Sequence, residues 1–309
     1  MNLLQNMTRT KLIVLFLALL LGLGFIPVFI AGAFFPGDRG AGAAAATFRS
    51  LAPLLAALLI QGPLLRQPVL EPLAITIRPS RAVLLAWLTP LFALIVGLVL
   101  THLIFGANLI LSEEQLIEAK RSRLSGESLE RFEAAVRRGE FSTPLSLITM
   151  GLTGGMLVNL FPLLAEEIGF RGFLFRELPG DFWRRSFLIG LIAGIFSLPT
   201  AFLLNLFPAH PLEGAALLFI FTVLSSPLLV YLRILTNSTI AVAITRAGFV
   251  AFFKVGADLA PDAHELVAPP FGIAGILGLV AILLLYMAYD SWRNQPPIFK
   301  ARARRSASP

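Results

Sequence analysis

LAEEIGFRGFLFREL, residues Leu164 to Leu178, sets two adjacent carboxylates and an arginine inside an otherwise apolar run. Ionisable groups at membrane depth are costly, and they persist where they are paired or where they serve a site. Read as a helix, the stretch places Glu167 and Arg171 one turn apart with the acid first, the favourable order for an ion pair. Glu166 is then rotated about 100° away, so its carboxylate faces a cavity or another helix. Gly169 and Gly172 keep the same surface narrow and let a neighbouring helix pack closely.

The rest of the chain is of the same apolar kind. Of 309 residues, 57% are hydrophobic and 14% charged, whereas a soluble domain carries about a quarter charged residues. This is the composition of an all-α polytopic transmembrane helical bundle. The absence of cysteine excludes disulfides, thiolate metal ligands and a cysteine nucleophile. The net charge of +7 lies in short hydrophilic ends and turns rather than in a basic stripe. Membrane lipids with anionic headgroups are therefore the expected partner, and nucleic acid is not.

Apolar runs predict about eight spans, at roughly 12–35, 47–65, 82–111, 144–178, 186–207, 214–235, 238–253 and 270–289. The first, preceded by Arg9 and Lys11, is too long for a signal-peptide core and reads as an uncleaved span. The fourth is too long for one straight perpendicular helix, and Pro162 offers a kink just before the glutamates. Residues 113–141 mix six basic residues with seven glutamates. Apolar positions at Leu116, Leu124, Leu129, Phe132 and Val136 predict surface helices there, broken near Ser125-Gly126. The expected organisation is 1–143 as N-terminal spans plus this charged loop, 144–253 as the core, and 254–309 as the last span and a basic tail.

Arg49, near the outer end of the second span, is expected to snorkel. Asp290 with Arg293 reads as a membrane-interface end, and the tail after Trp292 as a disordered anchor. Eight spans bring both termini to one side. Fourteen lysines and arginines flank that side, nine flank the other, and Arg171 and Arg246 lie inside spans. The balance predicts a plasma (inner) membrane protein with cytoplasmic termini.

Glu166-Glu167-x-x-x-Arg171 followed by Gly172-Phe173-Leu174 resembles the first motif of the CAAX-protease and bacteriocin-processing (CPBP) family of intramembrane endopeptidases, which includes the type II CAAX prenyl endopeptidases. The family's second motif has an aromatic and then a histidine followed by Leu-Pro; with Leu198-Pro199 in register, Ala193 stands at the aromatic and Ser197 at the histidine. Its third is a histidine with an asparagine or aspartate four residues on, after a Thr-Gly-Ser-like turn. Thr236-Asn237-Ser238 resembles that turn and places Arg246 at the histidine and Val250 at the asparagine. The resemblance covers roughly 144–253. It implies peptide cleavage near or within the bilayer, with glutamates and histidines holding a metal ion or activating a water. By resemblance Glu166, Glu167 and Arg171 are catalytic positions, with Glu166 the general base, while Ser197 and Arg246 are degenerate motif positions.

A catalytic zinc takes about three protein ligands of nitrogen, sulfur or carboxylate. A serine hydroxyl is a poor ligand and a guanidinium is a permanent cation that repels the metal. No zinc, and no other cofactor, is therefore expected. His210 and His264 fall in loops opposite the end of the span that carries Glu166; His102 could approach but reads as a packing or interface histidine. Without metal, two glutamates are an uncompensated pair of buried anions. Arg171 and Arg246 offset both.

The leading reading is thus a pseudoprotease with a structural charge cluster. One alternative is an active intramembrane endopeptidase in which Glu166 activates water beside a metal ion or Arg246; a guanidinium paired to Glu166 makes it a poorer proton acceptor. Another is a non-catalytic protein that binds a transmembrane or lipidated peptide or protein. A transporter has less support, as no inverted repeat is visible. Gly151, Gly154 and Gly155 read as a close-packing face, and Ser225-Ser226-Pro227 as a backbone-satisfied kink.

Overall fold

The structure is a computed structural model that describes residues 8–294 and 296–300. Among them all regular structure is helical, and eight helices are long and apolar enough to cross a membrane. In chain order the helices are α1 (Arg9–Phe34), α2 (Arg39–Leu59, extended by a wider turn at Ile60–Leu64), α3 (Arg81–Phe105), α4 (Glu113–Arg121) and α5 (Gly126–Arg137), which are surface helices and not among the eight, the composite α6 (Pro144–Glu177), α7 (Phe182–Leu203), α8 (Pro211–Thr236), α9 (Thr239–Leu259) and α10 (Ile273–Arg293). Apolar side chains such as Phe29, Leu103 and Val158 stand exposed on the outer faces. That is costly in water and favourable in lipid.

Local signals set the helix ends. The Asp38 carboxylate accepts from Gly40 N and Ala41 N, so α2 begins at Arg39, earlier than the apolar run suggests. Gly106, at φ +70°, closes α3 short of the expected 111, because a left-handed residue ends a helix at little cost to glycine. Ser112 and Gln115 form a capping box at α4, and α4 and α5 part where Ser125-Gly126 predicted. Arg121 and Glu133 join these two helices at 2.6 Å, and a hydrogen bond from Arg121 holds the Glu133 carboxyl below its ordinary range. Arg123 donates to Pro261 O, tying the pair to the end of α9.

α6 is one continuous helix with two widened segments, Gly151–Gly155 and Ile168–Leu174. Pro162 lies in the regular turn-by-turn stretch between them, so the departures from α geometry flank the proline instead of falling on it. Gly151 meets Phe252 and Gly155 meets Ala251, as a close-packing face requires; Gly154 has open space beyond its Cα and does not belong to that face. α6 packs against α9 and α2, α7 against α8, and α9 against α3, which in turn packs on α10. The volume bounded by α6, α7, α8 and α9 holds the charged residues.

Two expectations about the C-terminal end are corrected. Asp290 is fully buried and accepts from Asn294 Nδ2 at 2.6 Å and Phe299 N at 3.2 Å, instead of marking a wet interface. Its bonds hold Ile298–Lys300 as a short 3-10 turn whose Phe299 ring stacks on Tyr231 at 4.6 Å and meets Phe182 at 4.8 Å. Residues 298–300 are thus folded against the bundle, because an aromatic anchor and a buried acceptor together outweigh the entropy of three residues; the anchor reading of residues 301–309 falls outside the described residues. Phe182 opens α7, so the start of α7 and the end of the chain's last span meet at one end of the bundle. Asp290→Ala is expected to leave the Phe299 amide unpaired and cost about 1–3 kcal/mol. Hydrogen exchange at 298–300 would accelerate; unchanged protection would show that Phe299 packing alone holds the turn.

Candidate functional site

The site begins where α6 changes pitch. Glu166 and Glu167 are the last residues of the regular segment, and Arg171 lies in the wider one that follows. All three are buried. Gly169 and Gly172 let neighbours approach: a Cβ on Gly169 would sit 2.4 Å from Pro53 Cβ and 2.6 Å from Pro53 O on α2, and one on Gly172 would sit 3.1 Å from Leu73 O. Phe16 stacks on Phe173 at 5.1 Å, and Phe170 meets Phe196 edge-on at 5.7 Å, closing the cluster off from lipid.

Glu167 is the bridge. Its Oε1 accepts from Arg171 Nη1 at 2.9 Å and from Arg246 Nη1 at 2.7 Å. The same Arg246 nitrogen lies 2.9 Å from Glu166 Oε2, an ion pair without an aligned hydrogen bond. Arg171 Nη2 donates to Ser226 Oγ at 3.1 Å, and Ser226 Oγ donates to Ser186 O at 2.7 Å. Arg233 Nε, on α8 like Ser226, donates to Arg171 O at 3.1 Å. The cluster therefore joins α6, α7, α8 and α9.

Beside it is a cavity of about 130 Å³. Glu166, Arg171, Ser197, Arg246 and Val250 all line it, whereas Glu167 does not. The motif register read from Leu198-Pro199 thus brings Ser197 to the same space as Glu166. Ser197 Oγ donates to Ala193 O at 2.7 Å, so the residues mapped to the aromatic and histidine positions bond each other. The turn at Asn237 is left-handed, at φ 48°, and Ser238 caps α9 through Ala241 N, which starts the helix that carries Arg246.

Arg49 does not snorkel. It is 2% exposed and turned inward, donating to Phe196 O and Thr200 Oγ1 with its guanidinium 4.3 Å from the Phe196 ring centroid. The close approach at Gly169 brings α2 near enough for this, and a fixed acceptor and an aromatic face replace the water that a snorkelling arginine seeks. Nothing local in the second span signals it. From the sequence Ser226 likewise reads only as part of a kink; Ser225 Oγ does satisfy its own helix at Thr222 O, but Ser226 is a cluster member. Two serines beside a proline in a span were the available signal.

The histidines lie elsewhere. His102 Nδ1 is 3.0 Å from Ala107 O at the end of α3, and His210 Nδ1 is 2.9 Å from Glu265 Oε1 with its ring 4.6 Å from that of His264. None lines the cavity. Among the described residues, no group of three or more His, Cys, Asp or Glu side chains could hold a metal ion.

Residues 148–252, the stretch that carries Glu166, Ser197 and Arg246, match the family described as Rce1-like, type II CAAX prenyl endopeptidase Rce1-like. No curated protein matches the chain.

Proposed function

From the premise that residues 148–252 place this multi-pass membrane protein in the CPBP family of CAAX-type intramembrane endopeptidases, we propose that it is a non-hydrolysing member in which a salt-bridge cluster stands where the family's chemistry would be. The observation that carries the reading is the place of Arg246: one of its nitrogens lies 2.9 Å from Glu166 and 2.7 Å from Glu167. A guanidinium there neutralises the carboxylates that would otherwise draw a metal ion. Ser197, the other motif position facing the cavity, spends its proton on its own helix. Two carboxylates already paired to a fixed cation, with a serine as the third donor, do not fit a zinc ion, which needs about three free ligands. The same contact sets a fixed guanidinium against Glu166, at the carboxylate that the active reading would use to activate a water.

What remains for the cavity is binding. A transmembrane or lipidated peptide or protein and the surrounding lipids are the partners this reading assigns, in an inner membrane with both termini cytoplasmic. The purified protein is expected to carry no stoichiometric zinc. Cleavage of CAAX-type peptides by the parent and by Glu166→Ala should be alike, both at background. One equivalent of metal, or cleavage that depends on Glu166, would overturn the reading in favour of the metalloprotease.

A further inference from the structure

Four hydroxyls line the cavity, and three of them donate along their own helices: Ser197 to Ala193 O at 2.7 Å, Thr222 to Leu218 O at 2.8 Å and Ser225 to Thr222 O at 3.0 Å. These three turn only lone pairs inward. Thr200 differs, because its Oγ1 accepts from Arg49, and its own O–H has no acceptor among the described residues. Arg246 commits a single nitrogen, Nη1, to both glutamates, so its other N–H groups remain for the cavity it lines.

The charge count points the same way. Arg49, Arg171 and Arg246 face Glu166 and Glu167, which leaves one positive charge without a counter-charge in an apolar bundle. Arg49 interacts electrostatically with Glu166 and Arg246, yet no carboxylate stands within ion-pair reach of it among the described residues. Arg49 Nε and Arg171 Nε are buried without an acceptor. A buried charge of this kind is strongly unfavourable unless something pairs with it.

We propose that the cavity is an anion site, taking one monovalent anionic group against the Thr200 hydroxyl and the Arg246 guanidinium, with the surplus charge of Arg49 as its counter-charge. The wall also carries Arg171 and the Glu166 carboxylate, which is paired to Arg246 at 2.9 Å; most of the remaining lining is apolar, including Leu163, Leu218, Phe221 and Phe249. The volume of about 130 Å³ is close to the roughly 150 Å³ of a cavity that admits benzene. The group is therefore a halide ion or the carboxylate end of an acid with only a few carbons.

The inference rests on the metal-free reading of the site, so metal content is measured on the same samples. The full chain, purified in detergent and chloride-free gluconate buffer at fixed ionic strength, is titrated calorimetrically with sodium bromide and, separately, with sodium butyrate. Saturable one-site binding of at least one probe is expected, with a rise in melting temperature at saturation. Bromide alone assigns an inorganic ion, butyrate alone a carboxylate, and both assign the shared site. Thr200→Val keeps the side-chain shape but loses the donor, and should weaken binding by about tenfold or more. Arg49→Met should abolish it. No saturable binding to the parent, or parent-like binding by Thr200→Val, overturns the proposal. Metal-free protein that fails to bind sinks this inference alone, whereas metal-loaded protein that fails to bind sinks the proposed function as well.

Discussion

Glu167→Gln is expected to lower the stability of the bundle by about 3–5 kcal/mol, the range for breaking a buried ion pair from one side, and to be the most damaging of the charge substitutions in the cluster. The amide keeps the shape of the carboxylate, so the cost is electrostatic and not a cavity. Glu167 is fully buried, and one of its oxygens accepts from both Arg171 and Arg246. Its loss leaves three guanidiniums facing Glu166 alone. Arg246→Met should cost less, since Arg49 and Arg171 then remain against Glu166 and Glu167, two charges against two. Glu166→Gln should cost less again, because Glu166 borders the cavity and its one close partner keeps Glu167. Melting curves of the three variants in the same detergent test the order. Parent-like stability of Glu167→Gln would mean that the cluster does not hold the helices together.

Gly169→Ala should cost about 3 kcal/mol, the upper part of the range for overpacking a closed interface, although alanine favours a helix over glycine by about 1 kcal/mol. The added methyl would meet backbone, with Pro53 O at 2.6 Å and Pro53 C at 2.7 Å, and backbone cannot rotate away as a side chain can. α2 must retreat. Arg49 lies one turn before Pro53 on that helix, so the retreat also pulls its guanidinium from Phe196 O and Thr200. Gly154→Ala is the control: it makes the same substitution in the same helix where nothing stands within 4 Å, and it should be neutral or slightly stabilising. If both variants melt alike, the close contact between α2 and α6 does not bear on stability.

Much of this architecture follows from one-dimensional pattern. Eight long apolar runs can satisfy their backbone in lipid only as helices, so the all-α bundle is dictated by composition and length. The ion pair of Glu167 with Arg171 is legible because it joins residues one turn apart on a single helix, a distance that survives the wider pitch at Ile168–Leu174. Compensation by Arg246 is legible as charge balance, since two acids in an apolar segment need cations from somewhere. Charge balance does not say which cations, or how many. Arg49 entered the core because glycine at 169 lets α2 approach, and Ser226 and Thr200 became partners because α7 and α8 pack beside that junction. Asp290 reads as an interface residue until Phe299 folds back to stack on Tyr231 and brings its amide to the carboxylate. Periodicity and composition report each helix's own environment, whereas the surplus charge beside the cavity depends on which helices meet, and that was decided only by their packing in three dimensions.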